Sequence, residues 1–129
     1  MTTKHVPKDA KQHLTAGPYS PVLEVDAARI VVISGQVALD AQGNVMGDDI
    51  EEQTRYTLAN CHRQLKSAGC GFSDVFKVNV FLSDITEWAR FNAEYSEAMP
   101  HPRPVRTTVG AVLLPGFRVE IEMWAAKPS

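Results

Sequence analysis

Apolar residues recur along this chain with two different periods, every second position in some stretches and every third or fourth in others, and the change of period marks its elements. Tyr19–Val25 and Arg29–Ser34 flank Asp26-Ala27-Ala28, the second run (RIVVIS) is rich in β-branched residues, and the pair predicts a β-hairpin. Leu39–Val45 carries a Gly-Asn turn signal and allows a further short strand. From Asp49 to Ala68 the period becomes helical, with Ile50, Thr54, Thr57, Leu58, Cys61, Leu65 and Ala68 on one face, acids in the first turn and Gly69 as the stop. VFKVNVFL then alternates Phe76, Val78, Val80 and Leu82 against Lys77, Asn79 and Phe81, a strand with one core face and one mixed face. Asp84 and Glu87 resemble a capping box, after which Trp88, Phe91, Tyr95 and Met99 follow helical spacing until Pro100 and Pro102 end it. The last stretch, RPVRTTVGAVLLPGFRVEIEMWA (Arg103–Ala125), reads as a strand, a Pro-Gly turn and a strand, which predicts a closing hairpin.

The resulting order is β, β, a short β, α, β, α, β, β. Two helices cover only one face of a sheet of five or six strands, so the class is α+β with the other face free. That free face is expected to carry Phe81, Val112 or its neighbours, and Trp124, too much apolar surface to leave in water. A homo-oligomer that packs these faces together is the simplest solution, and closed rings are its common form.

Composition narrows the class of function. The 129 residues fit one domain, 1–129, with an ordinary 44% apolar and 22% charged content. A net charge of −2 and the lack of any basic run argue against nucleic acid as a partner. Charges stand where a signal peptide needs an apolar segment and no apolar run has membrane-spanning length, so the reading is a soluble, cytoplasmic protein with no membrane partner. Cys61 and Cys70 match neither a redox nor a zinc spacing and read as free thiols, the first in the core and the second exposed. His5, His13, His62 and His101 follow no regular spacing, and Gly69-Cys70-Gly71 leads to a strand where a phosphate loop needs a helix. Neither a metal nor an organic cofactor is expected.

The candidate chemistry lies in the last stretch, where Arg106, Glu120 and Glu122 interrupt apolar runs. As solvated charges they would guard an exposed edge against aggregation. Facing a cleft, the guanidinium would grip a carboxylate through paired hydrogen bonds and a glutamate would hold a water. Alternation places Arg106, Thr108, Gly110 and Val112 together, and Glu120, Glu122 and Trp124 together. A two-residue turn sets the groups on opposite sides and a three-residue turn on the same side, and the sequence leaves both open.

AGPYSPV (Ala16–Val22), VVISGQV (Val31–Val37), AGCGFSDVFKVNVFLSDI (Ala68–Ile85), FNAEY (Phe91–Tyr95) and VRTTVGAVLLPGFRVEIE (Val105–Glu122) occur in this order over nearly the whole chain. In combination they resemble the RidA (YjgF, reactive intermediate deaminase) family. The resemblance implies a chorismate-mutase-like α+β fold with two helices on one face of a mixed sheet, and a homotrimer with clefts between subunits. It also implies cofactor-free hydrolysis of 2-imino acids to 2-keto acids and ammonia. By position, Arg106 matches the carboxylate-binding arginine and Glu120 the water-orienting glutamate, while Tyr19, Ser34, Gly35 and Asn92 match further cleft residues. Tyr19 would hydrogen-bond the imine nitrogen, and Arg106 and Glu120 would then share one side. Thr108 stands in the cleft wall where several members have cysteine, and the Leu-Pro turn is one residue shorter than in the best-known deaminases, which keeps Glu122 as an alternative to Glu120. Alternatives to a deaminase of 2-iminopropanoate and 2-iminobutanoate are a small-carboxylate-binding or regulatory trimer and a deaminase of a larger enamine. Ribonuclease activity, ascribed to some relatives, is disfavoured by the acidic charge.

Overall fold

A computed structural model describes residues 4–128, so the ends of the expected domain at 1 and 129 lie outside the described residues. Two short strands, β1 (Lys4–His5) and β2 (Glu24–Val25), pair antiparallel as a ribbon apart from the main sheet. The main elements are β3 (Ile30–Gln36), α1 (Ile50–Ser67), β4 (Val75–Leu82), α2 (Trp88–Ala98), β5 (Val105–Gly110) and β6 (Val119–Ala126). Their sheet has four strands in the order β3-β6-β4-β5, with β4 and β5 parallel and the other pairs antiparallel. Parallel neighbours need a crossover, which α2 supplies between β4 and β5. The result is an α+β fold with a mixed sheet and two helices.

Three predicted strand features change. The closing hairpin does not form, because β4 lies between β5 and β6, so the turn after Leu114 never sets the register between them. The first hairpin is absent too. Ser20 gives its backbone N–H to the Pro104 carbonyl and its hydroxyl to the Arg103 carbonyl, which ties the Tyr19 segment to the approach to β5. β3 pairs with β6 instead, β2 with β1, and the main sheet has four strands where five or six were expected. Leu39 and Val45 form a single bridge around Gly43, whose φ of 87° needs glycine, while the Asp40 carboxylate accepts from the Gln42 and Asn44 amides.

The helices follow their patterns closely. Asp49 caps α1 by accepting from the Glu52 amide at 2.8 Å. At the other end Gly69 has φ 79°, its N–H bonds the Lys66 carbonyl, and the Cys70 N–H bonds the Leu65 carbonyl at 2.9 Å, a Schellman closure. The closure tucks Cys70 against Leu65 in the core, which corrects the expectation that Cys70 is exposed. Asp84 accepts from the Thr86 amide and hydroxyl at the head of a 3-10 turn (Ile85–Glu87) that leads into α2. The capping box is not completed, because the Glu87 carboxylate turns to Arg90 and Arg118.

The core lies between the helices and one sheet face. Val78, Val80 and Leu82 from β4 and Val119, Ile121, Met123 and Ala125 from β6 pack there with Leu58, Cys61, Leu65, Phe91 and Tyr95. Phe76 leaves this face because a register shift between Val75 and Lys77 turns Val75 inward in its place. The other sheet face is free of helix. Ile30 and Val32 are each 58% exposed on it, Lys77 lies 5.7 Å from the Trp124 ring, and Phe81 is half-buried further along the same face, opposite Glu120. Val112 belongs to the loop after β5 and is fully exposed. No described helix is long and apolar enough to cross a membrane.

Buried Gln53 of α1 holds the entry to β6: its Nε2 donates to the Gly47 and Gly116 carbonyls at 3.2 and 2.9 Å, and its Oε1 accepts from the Arg118 amide at 2.8 Å. Gln53→Leu keeps the volume and strands these backbone groups, so unfolding in urea should show a loss of about 2 kcal/mol or more. A loss below about 0.5 kcal/mol would mean the amide does not hold the loop.

Candidate functional site

Strand β4 serves as a ruler for the candidate residues. Arg106 of β5 lies opposite Val78 and Thr108 opposite Val80, so both point to the helix side, where those valines are fully buried. Glu120 of β6 lies opposite Phe81 and Glu122 opposite Asn79, so both point to the free side. Arg106 and Glu120 therefore occupy opposite faces of the sheet within one chain, which corrects the expectation that they share a side.

Around Arg106 the structure builds a closed setting. One face of α2 supplies Phe91, Asn92 and Tyr95, and the Tyr19 segment closes from the other direction. The Arg106 Nη1 donates to the Asn92 Oδ1 at 2.7 Å. Its guanidinium carbon lies 4.8 Å from the Tyr95 ring centre, 5.5 Å from that of Tyr19 and 5.7 Å from that of Phe91. Tyr19 is held in place by its backbone, whose carbonyl accepts from Gln12 and whose N–H bonds the Gly17 carbonyl. A Cβ on Gly17 would stand 3.2 Å from both the Arg106 Nη2 and the Trp88 ring, so glycine permits this approach of backbone to guanidinium.

Among the described residues Arg106 makes no ion pair, and its Nε is buried without a hydrogen-bond partner. Burial pulls the guanidinium below its ordinary pKa, and the nearby tyrosines oppose that shift. The Thr108 hydroxyl, the Tyr95 hydroxyl and the Arg103 Nε are likewise buried and unpartnered. Unpartnered polar groups of this kind are uncommon in a folded interior. Gly17, Phe91 and Tyr95 were not among the sequence candidates. The only signal for the two rings was their helical spacing, which a core position gives equally.

On the free face, Glu120 sits against β3. A Cβ on Gly35 would lie 2.2 Å from the Glu120 Oε2, so Gly35 exists beside the carboxylate only because it lacks one. Ser34 and Gly35 fall in the register shift of β3 between Ile33 and Gln36 and both are exposed, Gly35 against that carboxylate. Between the Glu120 and Glu122 choices, Glu120 is the one that touches Gly35. A groove of about 450 Å³ lies in front of it, lined by Phe81, Ala111–Leu114 and the two glutamates. The chain thus presents two candidate half-sites, a guanidinium without an ion pair among the described residues on one face, and a carboxylate with an exposed strand bulge on the other. Among the described residues no three His, Cys, Asp or Glu side chains gather as metal ligands would.

Comparison with known proteins agrees with the fold. The profile of the family described as endoribonuclease L-PSP matches residues 10–127. The protein mmf2 of Schizosaccharomyces pombe, called mitochondrial, is 38% identical over 95% of this chain and 98% of its own length. A 2-iminobutanoate/2-iminopropanoate deaminase of Bos taurus is 37% identical over 92% of this chain and 86% of its own. A crystal structure from Neisseria meningitidis, a member of the YjgF protein family, superposes with a TM-score of 0.71 at 27% identity, covering 89% of this chain and 92% of that one.

The Gly35–Glu120 contact gives a direct test. Gly35→Ala should fold with a stability change within about 1 kcal/mol, since the position is exposed and its φ is ordinary, while the carboxylate swings away from β3. A crystal structure of the variant with Glu120 unmoved would contradict the close packing.

Proposed function

The chain belongs to the YjgF/RidA family, and from that premise we propose that it is a 2-imino acid deaminase, hydrolysing 2-iminopropanoate and 2-iminobutanoate to the 2-keto acids and ammonia. The observation that carries this reading is the half-buried Arg106, which is ringed by aromatic side chains, bonded to a neutral amide and without an ion pair among the described residues. A guanidinium so placed is a receptor for a small carboxylate. The substrate imine is already electrophilic beside its carboxylate, so fixing the substrate and presenting one water accounts for most of the catalysis.

In this mechanism Arg106 anchors the carboxylate, with Asn92 holding the guanidinium and Thr108 lining the wall. Glu120 orients a water and takes its proton as oxygen adds to the imine carbon. Glu120 returns that proton to the nitrogen, giving a carbinolamine; it then takes the proton of the new hydroxyl as the C=O bond forms and the C–N bond breaks, and passes it to the nitrogen, which Tyr19 hydrogen-bonds and which leaves as ammonia. Ser34 and Gly35 shape the approach to Glu120. Because Arg106 and Glu120 lie on opposite faces of one sheet, the two half-sites must come from different chains. That need supports a homotrimer of single-domain chains with a cleft at each junction, burying the free face that carries Val32 and Trp124. The proposal requires no metal or organic cofactor. The cytoplasm is the compartment we propose, although a close relative is called mitochondrial.

A binding trimer that holds a small carboxylate without turnover would use Arg106 in the same way and tolerate loss of the glutamate, so the glutamate separates the two. Arg106→Ala should cut kcat/KM for 2-iminobutanoate by roughly two to four powers of ten, because removing one partner of a desolvated charge pair costs about 3 to 5 kcal/mol. Arg106→Lys should recover only part of it. Near-parental rates for Arg106→Ala, in correctly assembled protein, would remove the arginine from the mechanism. Glu120→Gln should lower kcat while leaving 2-oxobutanoate binding intact, and no turnover by the parent protein itself would favour the binding trimer. Sedimentation equilibrium should give three times the chain mass, and a monomer at micromolar concentration would defeat the shared cleft.

A further inference from the structure

Arginines buried in proteins are commonly neutralised by a carboxylate, whereas Arg106 is faced by rings. Phe91 and Tyr95 stand one turn apart on α2, both fully buried, with ring centres 5.6 Å apart and planes inclined by 34°. The turn between them also supplies Asn92, the one hydrogen-bond acceptor that the described residues offer Arg106. Of the three rings around the guanidinium, Tyr95 is the nearest, at 4.8 Å. Its hydroxyl is buried and bonds to nothing in the described residues, so the contact with Arg106 is made by the ring and not by the oxygen.

We propose that Tyr95, seconded by Phe91, is a positioning residue for Arg106: its ring face holds the guanidinium where another protein would place a carboxylate, so that the substrate's carboxylate becomes the guanidinium's first counterion. An acidic partner would do the same positioning but would compete with the substrate for the same donors. An aromatic face attracts the cation through its quadrupole and leaves the hydrogen-bonding edge unoccupied. Asn92 fits the same design, since it fixes Nη1 without supplying negative charge. The inference rests on the deaminase reading insofar as it takes Arg106 to be the anchor of the substrate.

The test uses the assembled full-length protein, with binding of 2-oxobutanoate by calorimetry and steady-state hydrolysis of 2-iminobutanoate. Tyr95→Phe keeps the ring face and removes only an oxygen without a partner among the described residues, and it is the reference against which the other variants are read. Tyr95→Leu should raise Kd and KM at least roughly tenfold, with a smaller change in kcat. The decisive variant is Tyr95→pentafluorophenylalanine, which preserves ring shape while reversing the quadrupole. It should weaken 2-oxobutanoate binding as Tyr95→Leu does, and it decides the matter even if the leucine variant fails to assemble. Binding of the fluorinated variant equal to that of Tyr95→Phe would overturn the inference, leaving Tyr95 a packing residue only. Arg106→Ala is measured alongside: if it binds 2-oxobutanoate as the parent does, the carboxylate-anchor reading falls with the inference. If it loses binding while the fluorinated variant keeps it, the inference alone falls.

Discussion

The parallel pairing of β5 with β4, across which β6 cannot reach, is the constraint on which the site depends. A strand shows alternate residues to alternate faces, so once Arg106 is set beside Val78 and Glu120 beside Phe81, the two charges are separated by the thickness of the sheet. No loop adjustment brings them together. α2 enforces the arrangement, because it is the crossover that makes β5 run parallel to β4, and it also presents Phe91, Asn92 and Tyr95 to the arginine it has positioned. One helix thus determines both the separation of the half-sites and the character of the first of them.

Each half-site depends on a missing side chain as much as on a present one. Gly17 lets backbone lie against the Arg106 Nη2, and Gly35 lets β3 lie against the Glu120 carboxylate. At neither position is the glycine needed for a left-handed backbone, since both have ordinary φ. The reason is steric, a Cβ in the way of a charged group, and such a glycine differs from Gly69, where the helix stop itself requires positive φ.

Local features of the fold were legible because local chemistry produces them. Asp49 and Gly69 close α1 within the residues that announce it, and Val78, Val80 and Leu82 face the core as their alternation requires. Longer-range features were not legible. Val105–Gly110 and Val119–Ala126 look like a hairpin on any local criterion, and the insertion of β4 between them is a property of the whole sheet. Phe76 was misplaced by a bulge, and the Tyr19 segment by hydrogen bonds from Ser20 to residues more than eighty positions away. Of the candidate residues, Arg106 stands out as a charge in an apolar run, Tyr19 and Asn92 are reached through resemblance, and the structure brings the three together. Tyr95 was visible only as a core position, because a ring that packs and a ring that also faces a cation occupy the same place in a helical pattern.

The free sheet face links this geometry to assembly. It carries Ile30, Val32, Phe81 and Trp124 beside Glu120 and Glu122, so any surface that covers the apolar residues must also come close to the carboxylates. Burying an unpaired carboxylate is costly, and the cost is avoided if the covering surface leaves a water-filled gap at Glu120 or supplies a donor there. A gap lined by one carboxylate and bordered by another chain's guanidinium is also the geometry in which a small anion and one water are held side by side. In the proposed assembly the apolar sheet face and the carboxylate that is costly to seal away are served by one arrangement, sheet faces covered by neighbouring chains with a small polar cleft at each junction.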